Sequence, residues 1–285
     1  MRIGVVGAGV AGTSLGVLLH RGGHEIVAVA GGPATEARAA TYLPGVPVIE
    51  ADVVAARSEV TVLGVPDDRI AQVCADIAPS LPEAAAVLHL SGAEGLDALA
   101  PAARRGVRVL ALHPLQTLPT VPAALERLPG SGAAVTARDE PGSLLGEGLA
   151  RDAGLLPFRV AEEDRALYHA GAVFASNHLV ASLAAAERIF LAAGIEDPLP
   201  LLLPLARASV ENVARTGTAA ALTGPVVRGD AGTVARNLAA LTGRAPDAIL
   251  PYVAMALAAA ELAVSSGRLS AEDREAVEEA LRPWR

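Results

Sequence analysis

Short apolar runs recur through the first half of the chain, at residues 3–6, 25–30, 44–49, 60–65, 86–90, 107–112, 133–137 and 158–160. Each is too short for a helix, and several lack polar alternation, which is the pattern of strands covered on both faces. Helical patterns separate most of them, at 13–20, 35–42, 52–56, 69–78 and 143–153. The alternation predicts a mostly parallel, doubly wound α/β sheet. The pattern changes at Ala161-Glu162-Glu163-Asp164, beyond which no convincing strand remains. Helical patterns then cover 164–193, 199–216, 231–241, 249–264 and 271–281. Two domains are expected, an α/β domain over 1–162 and an all-helical domain over 163–285. The helix over 164–193 is Ala-rich on several faces and should be covered on more than one side. Its own domain or a second copy in a homodimer would supply that cover.

The clearest motif joins the first strand to the first helix. Gly7, Gly9 and Gly12 fall in G-x-G-x-x-G spacing, with Val10 and Ala11 opening the helix. Gly7 permits the tight turn, Gly9 lets backbone approach a pyrophosphate, and Gly12 brings helix and strand close. Free N–H groups at the helix start then face the phosphates. This is a dinucleotide-binding unit, and the α/β domain is expected to be a Rossmann domain. At the tip of the second strand an Asp or Glu would bind the ribose of NAD. Here the tip runs Ala30-Gly31-Gly32-Pro33-Ala34-Thr35, with no acid before Glu36. Thr35 and Arg38 could hold a 2′-phosphate, which favours NADP and leaves NAD open. Gly31, the backbone of Val65-Pro66, and Ser91 beside Gly92 lie at strand ends, where such a sheet binds its ligand. Asp67 is placed to cap the helix over 69–78, while the backbone at this strand end lines the crevice.

Composition narrows the chemistry. All 23 basic residues are arginine, so a Schiff base, a lysine general acid and a P-loop lysine are excluded. A net charge of −8, with no basic patch carrying interleaved aromatics, disfavours nucleic acid. The single Cys74 reads as a buried small hydrophobe, fitting a reducing cytoplasm. The apolar start is a strand running into glycines, not a signal peptide. The run over 249–264, interrupted by Pro251 and Glu261, reads as a core helix short of spanning a membrane. No spacing of Cys and His suggests a metal.

Three polar clusters interrupt the Ala/Leu background. The first is His113-Pro114-Leu115-Gln116-Thr117, after a late strand, where a nicotinamide ring would reach. His113 could exchange a proton there while hydride moves, or merely bond nearby backbone. Gln116 is a candidate substrate contact. The second cluster is Tyr168-His169 through Ser176-Asn177-His178. His169, Val173 and Asn177 are spaced to share a helix face, for substrate or cofactor or for a buried network. The third is Leu222 to Asp230, a shaped Gly/Pro loop. Arg228 is either an anion clamp for a carboxylate or a salt-bridge partner. Asp230 can cap the next helix.

Through the glycine motif, His113-Pro114-Leu115-Gln116-Thr117, residues 170–178 and residues 222–230, the chain resembles the Rossmann-like proteins that carry the C-terminal domain of unknown function numbered 2520. The wider resemblance is to the 6-phosphogluconate-dehydrogenase-like reductases, including pyrroline-5-carboxylate reductase and prephenate dehydrogenase. The resemblance implies an NADP-binding domain, a helical dimerisation domain and reductase activity. Relatives that use a helix lysine four residues before an asparagine are not matched, because Val173 precedes Asn177 at that spacing. His113-Pro114 resembles the His-Pro pair of prephenate dehydrogenase.

The expectation is an NAD(P)-dependent oxidoreductase, NADPH-using, for a small anionic carbonyl, imine or hydroxy compound. His113 would donate or accept the proton, Asn177 would orient, His169 would touch the substrate and Arg228 would hold a carboxylate. A non-catalytic dinucleotide sensor and a deazaflavin:NADP oxidoreductase are the alternatives.

Overall fold

A computed structural model of the chain describes residues 1–284. Seven strands form one sheet: β1 (Arg2–Val6), β2 (Glu25–Ala30), β3 (Val60–Leu63), β4 (Ala86–His89), β5 (Arg108–Pro114), β6 (Gly132–Ala137) and β7 (Leu156–Arg159). Their order is β2-β1-β3-β4-β5-β6-β7, parallel except where β6 runs against β5. The expected strand over 44–49 shrinks to one bridge between Val29 and Val48. Pro44 and Pro47 donate no ladder hydrogen bond, and Gly45 turns the chain at φ 85°.

Seven helices accompany the sheet: α1 (Val10–Arg21), α2 (Thr35–Tyr42), α3 (Ala51–Arg57), α4 (Ile70–Ile77), α5 (Ala100–Ala103), α6 (Val121–Arg127) and α7 (Glu140–Asp152). Successive strand residues feed opposite cores. Val5, Val62, Leu88 and Leu110 join Leu15 and Leu19 of α1 and Leu149 of α7 on one face. Val6, Leu63, Val87 and Val109 join Val54 of α3 and Ile70, Cys74 and Ile77 of α4 on the other. The apolar runs lack alternation because both faces are covered. Cys74 is free and fully buried, and burial raises its thiol pKa.

Asp67 does not cap α4. It begins a short 3-10 turn, Asp67–Arg69, and caps nothing with its side chain. Its carboxylate instead accepts from Ser91 Oγ at 2.7 Å.

The chain divides into two compact units, residues 1–174 and 175–285. The change of sequence pattern at 162/163 precedes this boundary because α8 (Arg165–Val173) is built into the first unit by its own side chains. A π turn, Phe174–His178, follows α8. The spacing that put His169 and Asn177 on one face assumed an unbroken α-helix. The wider π turn shifts that register, so the spacing argument fails.

The second unit holds α9 (Leu179–Ala192), α10 (Leu199–Ala221), α11 (Ala231–Arg244), α12 (Ile249–Ser265) and α13 (Ala271–Leu281). Val234, Leu238, Val253, Ala260, Val277 and Leu281 form its core. Asp230 caps α11, accepting from Thr233 N at 2.9 Å. With its leading turn, α12 spans Pro246–Ser265 at mean hydropathy 1.8, which by length and composition is enough to cross a membrane. That corrects the expectation that this run falls short. Four of its residues, Val253, Ala256, Ala260 and Ala263, are buried in the unit's core, and Glu261 pairs with Arg274 at 3.1 Å.

Cover on several sides was expected for the helix that became α8 and α9. The single chain does not provide it. No residue of α9 is buried, and α10 buries only Leu202. Val180, Leu201 and Leu205 are 61–65 % exposed.

Candidate functional site

The β1–α1 turn is shaped for close approach. Gly7 has φ 90°, a region that disfavours side chains. A Cβ on Gly12 would meet Gly7 O at 2.4 Å, so helix and turn touch there. A Cβ on Gly9 would meet nothing nearer than Gly64 O at 3.7 Å. Gly9 is thus bare on its open side, as a phosphate-facing position requires. The turn borders a cleft of about 660 Å³ whose lining includes Gly7, Gly9, Gly31, Thr35, Glu36, Arg38, Val65 and Pro66. The Arg38 guanidinium reaches back to the carbonyl of Ala8, which also accepts from Thr13 Oγ1 at 3.1 Å. A cation therefore stands at the glycine turn itself. Thr35 is 1 % exposed, and its hydroxyl has no hydrogen-bond partner. These features fit a dinucleotide: a bare turn for the pyrophosphate, an arginine beside it, and an orphaned hydroxyl under the strand tip. Glu36 follows the tip, and Glu50 and Asp76 also line the cleft. Val10, Ala11 and Gly12 form the helix start behind the cleft.

A second cluster lies at the far end of β5. His113 is opposite Ala134 of β6, and Ala134 is opposite Phe158 of β7. One rung of the sheet thus carries an imidazole, a small methyl and a phenyl ring. Tyr168 of α8 leans edge-on against both rings, 5.7 Å from His113 and 5.8 Å from Phe158 between centroids. Its hydroxyl is 2.7 Å from His113 Nδ1. The next residue, His169, also meets the His113 ring edge-on at 6.0 Å. A Cβ built on Gly92 would lie 2.6 Å from His169 Nδ1 and 2.9 Å from His113 Nε2. The edges of both imidazole rings therefore close over Gly92. His169 Nδ1 is buried there without a partner.

The loop carrying Gly92 is held rigidly. Ser91 Oγ donates to Asp67 and accepts from the amides of Ala93 and Glu94. Beneath it Arg165 of α8, 1 % exposed, donates to Ser91 O at 2.6 Å, Glu94 O at 2.6 Å and Thr136 Oγ1 at 2.9 Å. Burial lowers the His113 pKa to about 4, helped by the neighbouring His169 and Arg165. The ring is neutral at physiological pH. His89, fully buried at the end of β4, is pushed to about 4 by the same desolvation.

The other sequence candidates fall in different places. Ser91 is 6 % exposed and shapes the loop under Gly92 rather than lining the glycine cleft. Gln116 is exposed, donating to Ser131 Oγ at 3.1 Å, and does not join the histidines. Asn177 is exposed in the π turn. Arg228 is exposed on a braced loop. Gly229 packs against Asp273, and Arg268 holds the carbonyls of Ala219 and Leu222. Sequence reading missed Arg165 altogether and named Tyr168 without a role. Arg165 has no motif, and only the fold shows that its head is buried.

The comparisons with known proteins agree with this architecture. Residues 1–114 match the family model of a Rossmann-like domain, and residues 131–259 match that of a domain of unknown function, DUF2520. The two matches lie one after the other on this chain, the Rossmann-like domain first. Its fold is similar to that of a Bacteroides fragilis protein described as a candidate NADP oxidoreductase, at 20% identity and TM-score 0.73, over 91% of this chain and 98% of that one. A Thermotoga maritima protein is similar at 23% identity and TM-score 0.70, over 92% and 98%. The NADP-bound pyrroline carboxylate reductase of Plasmodium falciparum is similar at 15% identity and TM-score 0.57, over 94% and 98%. At these identities the likeness is one of fold. No curated protein matches the chain.

Proposed function

We propose that this protein is an NAD(P)-dependent oxidoreductase acting on a small anionic carbonyl, imine or hydroxy compound. The observation that carries the reading is the pair of imidazoles converging over Gly92 in the same unit as a nucleotide-shaped glycine turn. Solved neighbours of this fold hold NADP or NAD+. The bound nicotinamide would supply or take up hydride, and the protein's task is to position and to manage the proton. His113 is the proton donor or acceptor, and His169 touches the reacting group. Gly7, Gly9 and the start of α1 receive the pyrophosphate, with Gly31, Val65 and Pro66 around them.

NADP is favoured over NAD. Thr35 and Arg38 line the cleft together with Gly31 and Gly32 of the strand tip, and no carboxylate precedes Glu36 there. The exposed leucines of α10 and the uncovered face of α9 support a homodimer through the second unit, since large apolar patches mark association surfaces. A soluble cytoplasmic enzyme fits the single free cysteine.

Titration with NADPH and NADH, then a metabolite panel followed by cofactor absorbance, tests the reading. Tight NADPH binding and turnover of an anionic carbonyl, imine or alcohol are expected. His113→Ala should then lower turnover by roughly two to four powers of ten. A protein that binds NADPH but oxidises it with no metabolite is a sensor, and the catalytic reading falls.

A further inference from the structure

The site leaves open which nitrogen of His113 faces the reacting group and what fixes the ring. We propose that Tyr168 is the positioning residue: its hydroxyl donates to His113 Nδ1, which fixes the ring and keeps its proton on Nε2. This rests on the reading of His113 given above.

The hydrogen-bond inventory sets the direction. The His113–Tyr168 contact at 2.7 Å is the phenol's one hydrogen bond among the described residues. If His113 donated at Nδ1, the Tyr168 proton would have no acceptor, and an unpaired half-buried donor is costly. If Tyr168 donates, its proton is satisfied and Nε2 carries the hydrogen. Burial lifts the phenol pKa to about 12, so the proton is there to give at neutral pH. Geometry fixes the rest. Tyr168 is wedged edge-on between His113 and Phe158 over Ala134, and cannot turn its hydroxyl elsewhere without losing both ring contacts. Gly92 has no side chain because both imidazoles already occupy the space one would need.

The test reads the ring directly. Long-range proton–nitrogen spectra of the 15N-labelled full chain resolve its six histidines, with His113 assigned by its loss in His113→Gln. At pH 7 the wild type should show a protonated Nε2 and an acceptor Nδ1. Tyr168→Phe, with its amide spectrum confirming the fold, should populate both tautomers. A protonated Nδ1 in the wild type, or an unchanged tautomer in Tyr168→Phe, overturns the assignment. Where the metabolite panel yields a substrate, Tyr168→Phe should lower kcat on the order of tenfold or more with KM little changed. Absent turnover with the tautomer result intact would fault the oxidoreductase reading instead, leaving the role of Tyr168 standing.

Discussion

Replacing Arg165 with methionine asks whether one buried cation holds the loop under the histidines. The guanidinium is 1 % exposed and donates three hydrogen bonds, two to backbone carbonyls and one to Thr136. Bonds from a charged donor contribute about 1.5–3 kcal/mol each. Against them stands the burial of a cation that no carboxylate bonds, which costs several kcal/mol and which the variant avoids. The stranded acceptors decide the sign, because a buried carbonyl that loses its donor costs about 1–3 kcal/mol. A net loss of about 2–4 kcal/mol is expected, or roughly 4–16 °C in Tm at about 2–4 °C per kcal/mol for a unit of this size. The loop should also loosen, and the His113 pKa should rise as a nearby positive charge disappears. Urea unfolding followed by circular dichroism gives the first quantity, and histidine titration by NMR gives the second. A variant within about half a kcal/mol of wild type, with His113 titrating unchanged, would refute the idea that this residue fixes the loop.

Three other outcomes follow from the same geometry. Gly9→Ala adds a methyl into open space, so the protein should fold normally yet lose NADPH binding by about tenfold or more, whereas Gly12→Ala should cost about 1–3 kcal/mol of stability through its clash with Gly7 O; calorimetry and thermal melts separate the two. Arg38→Ala should weaken NADPH more than NADH, and an equal loss for both in binding titrations would remove Arg38 from 2′-phosphate recognition. His89 is neutral when folded down to about pH 4 but gains a proton near 6.5 when unfolded. Unfolding therefore takes up a proton between those values, as it does at His113, and each group should cost up to about 3 kcal/mol of stability as pH drops from 6.5 to 4. His89→Leu should remove its own share of that slope, about half, in urea melts at several pH values.

The fold was legible because its signals are local. Strands buried on both faces need unbroken apolar runs, and the glycine turn needs glycines at set positions. The 44–49 segment misled because Val46, Val48 and Ile49 carry a strand's apolar side chains on a backbone that Pro44 and Pro47 disable. The site was legible only in part. His113 stood out as a histidine after a strand, and His169 as a polar residue on an apolar helix. Their convergence over Gly92 is a contact between segments far apart in sequence, which no spacing encodes. Asp67 read as a cap because Asp commonly starts helices, yet a serine 24 positions later took its carboxylate. The π turn at 174–178 defeated the face-sharing argument for Asn177, since nothing in Phe-Ala-Ser-Asn-His announces a wider turn.

The reversal of β6 against β5 has one more effect. In an all-parallel sheet, whatever borders the ligand comes from loops beyond the strand ends. Here Phe158 belongs to a hydrogen-bonded strand, aligned through Ala134 with His113. The strand fixes where the Phe158 ring is anchored, while the ring itself, 37 % exposed on the edge strand, can still change rotamer. Any adjustment beside His113 is then a matter of side-chain torsions more than of backbone.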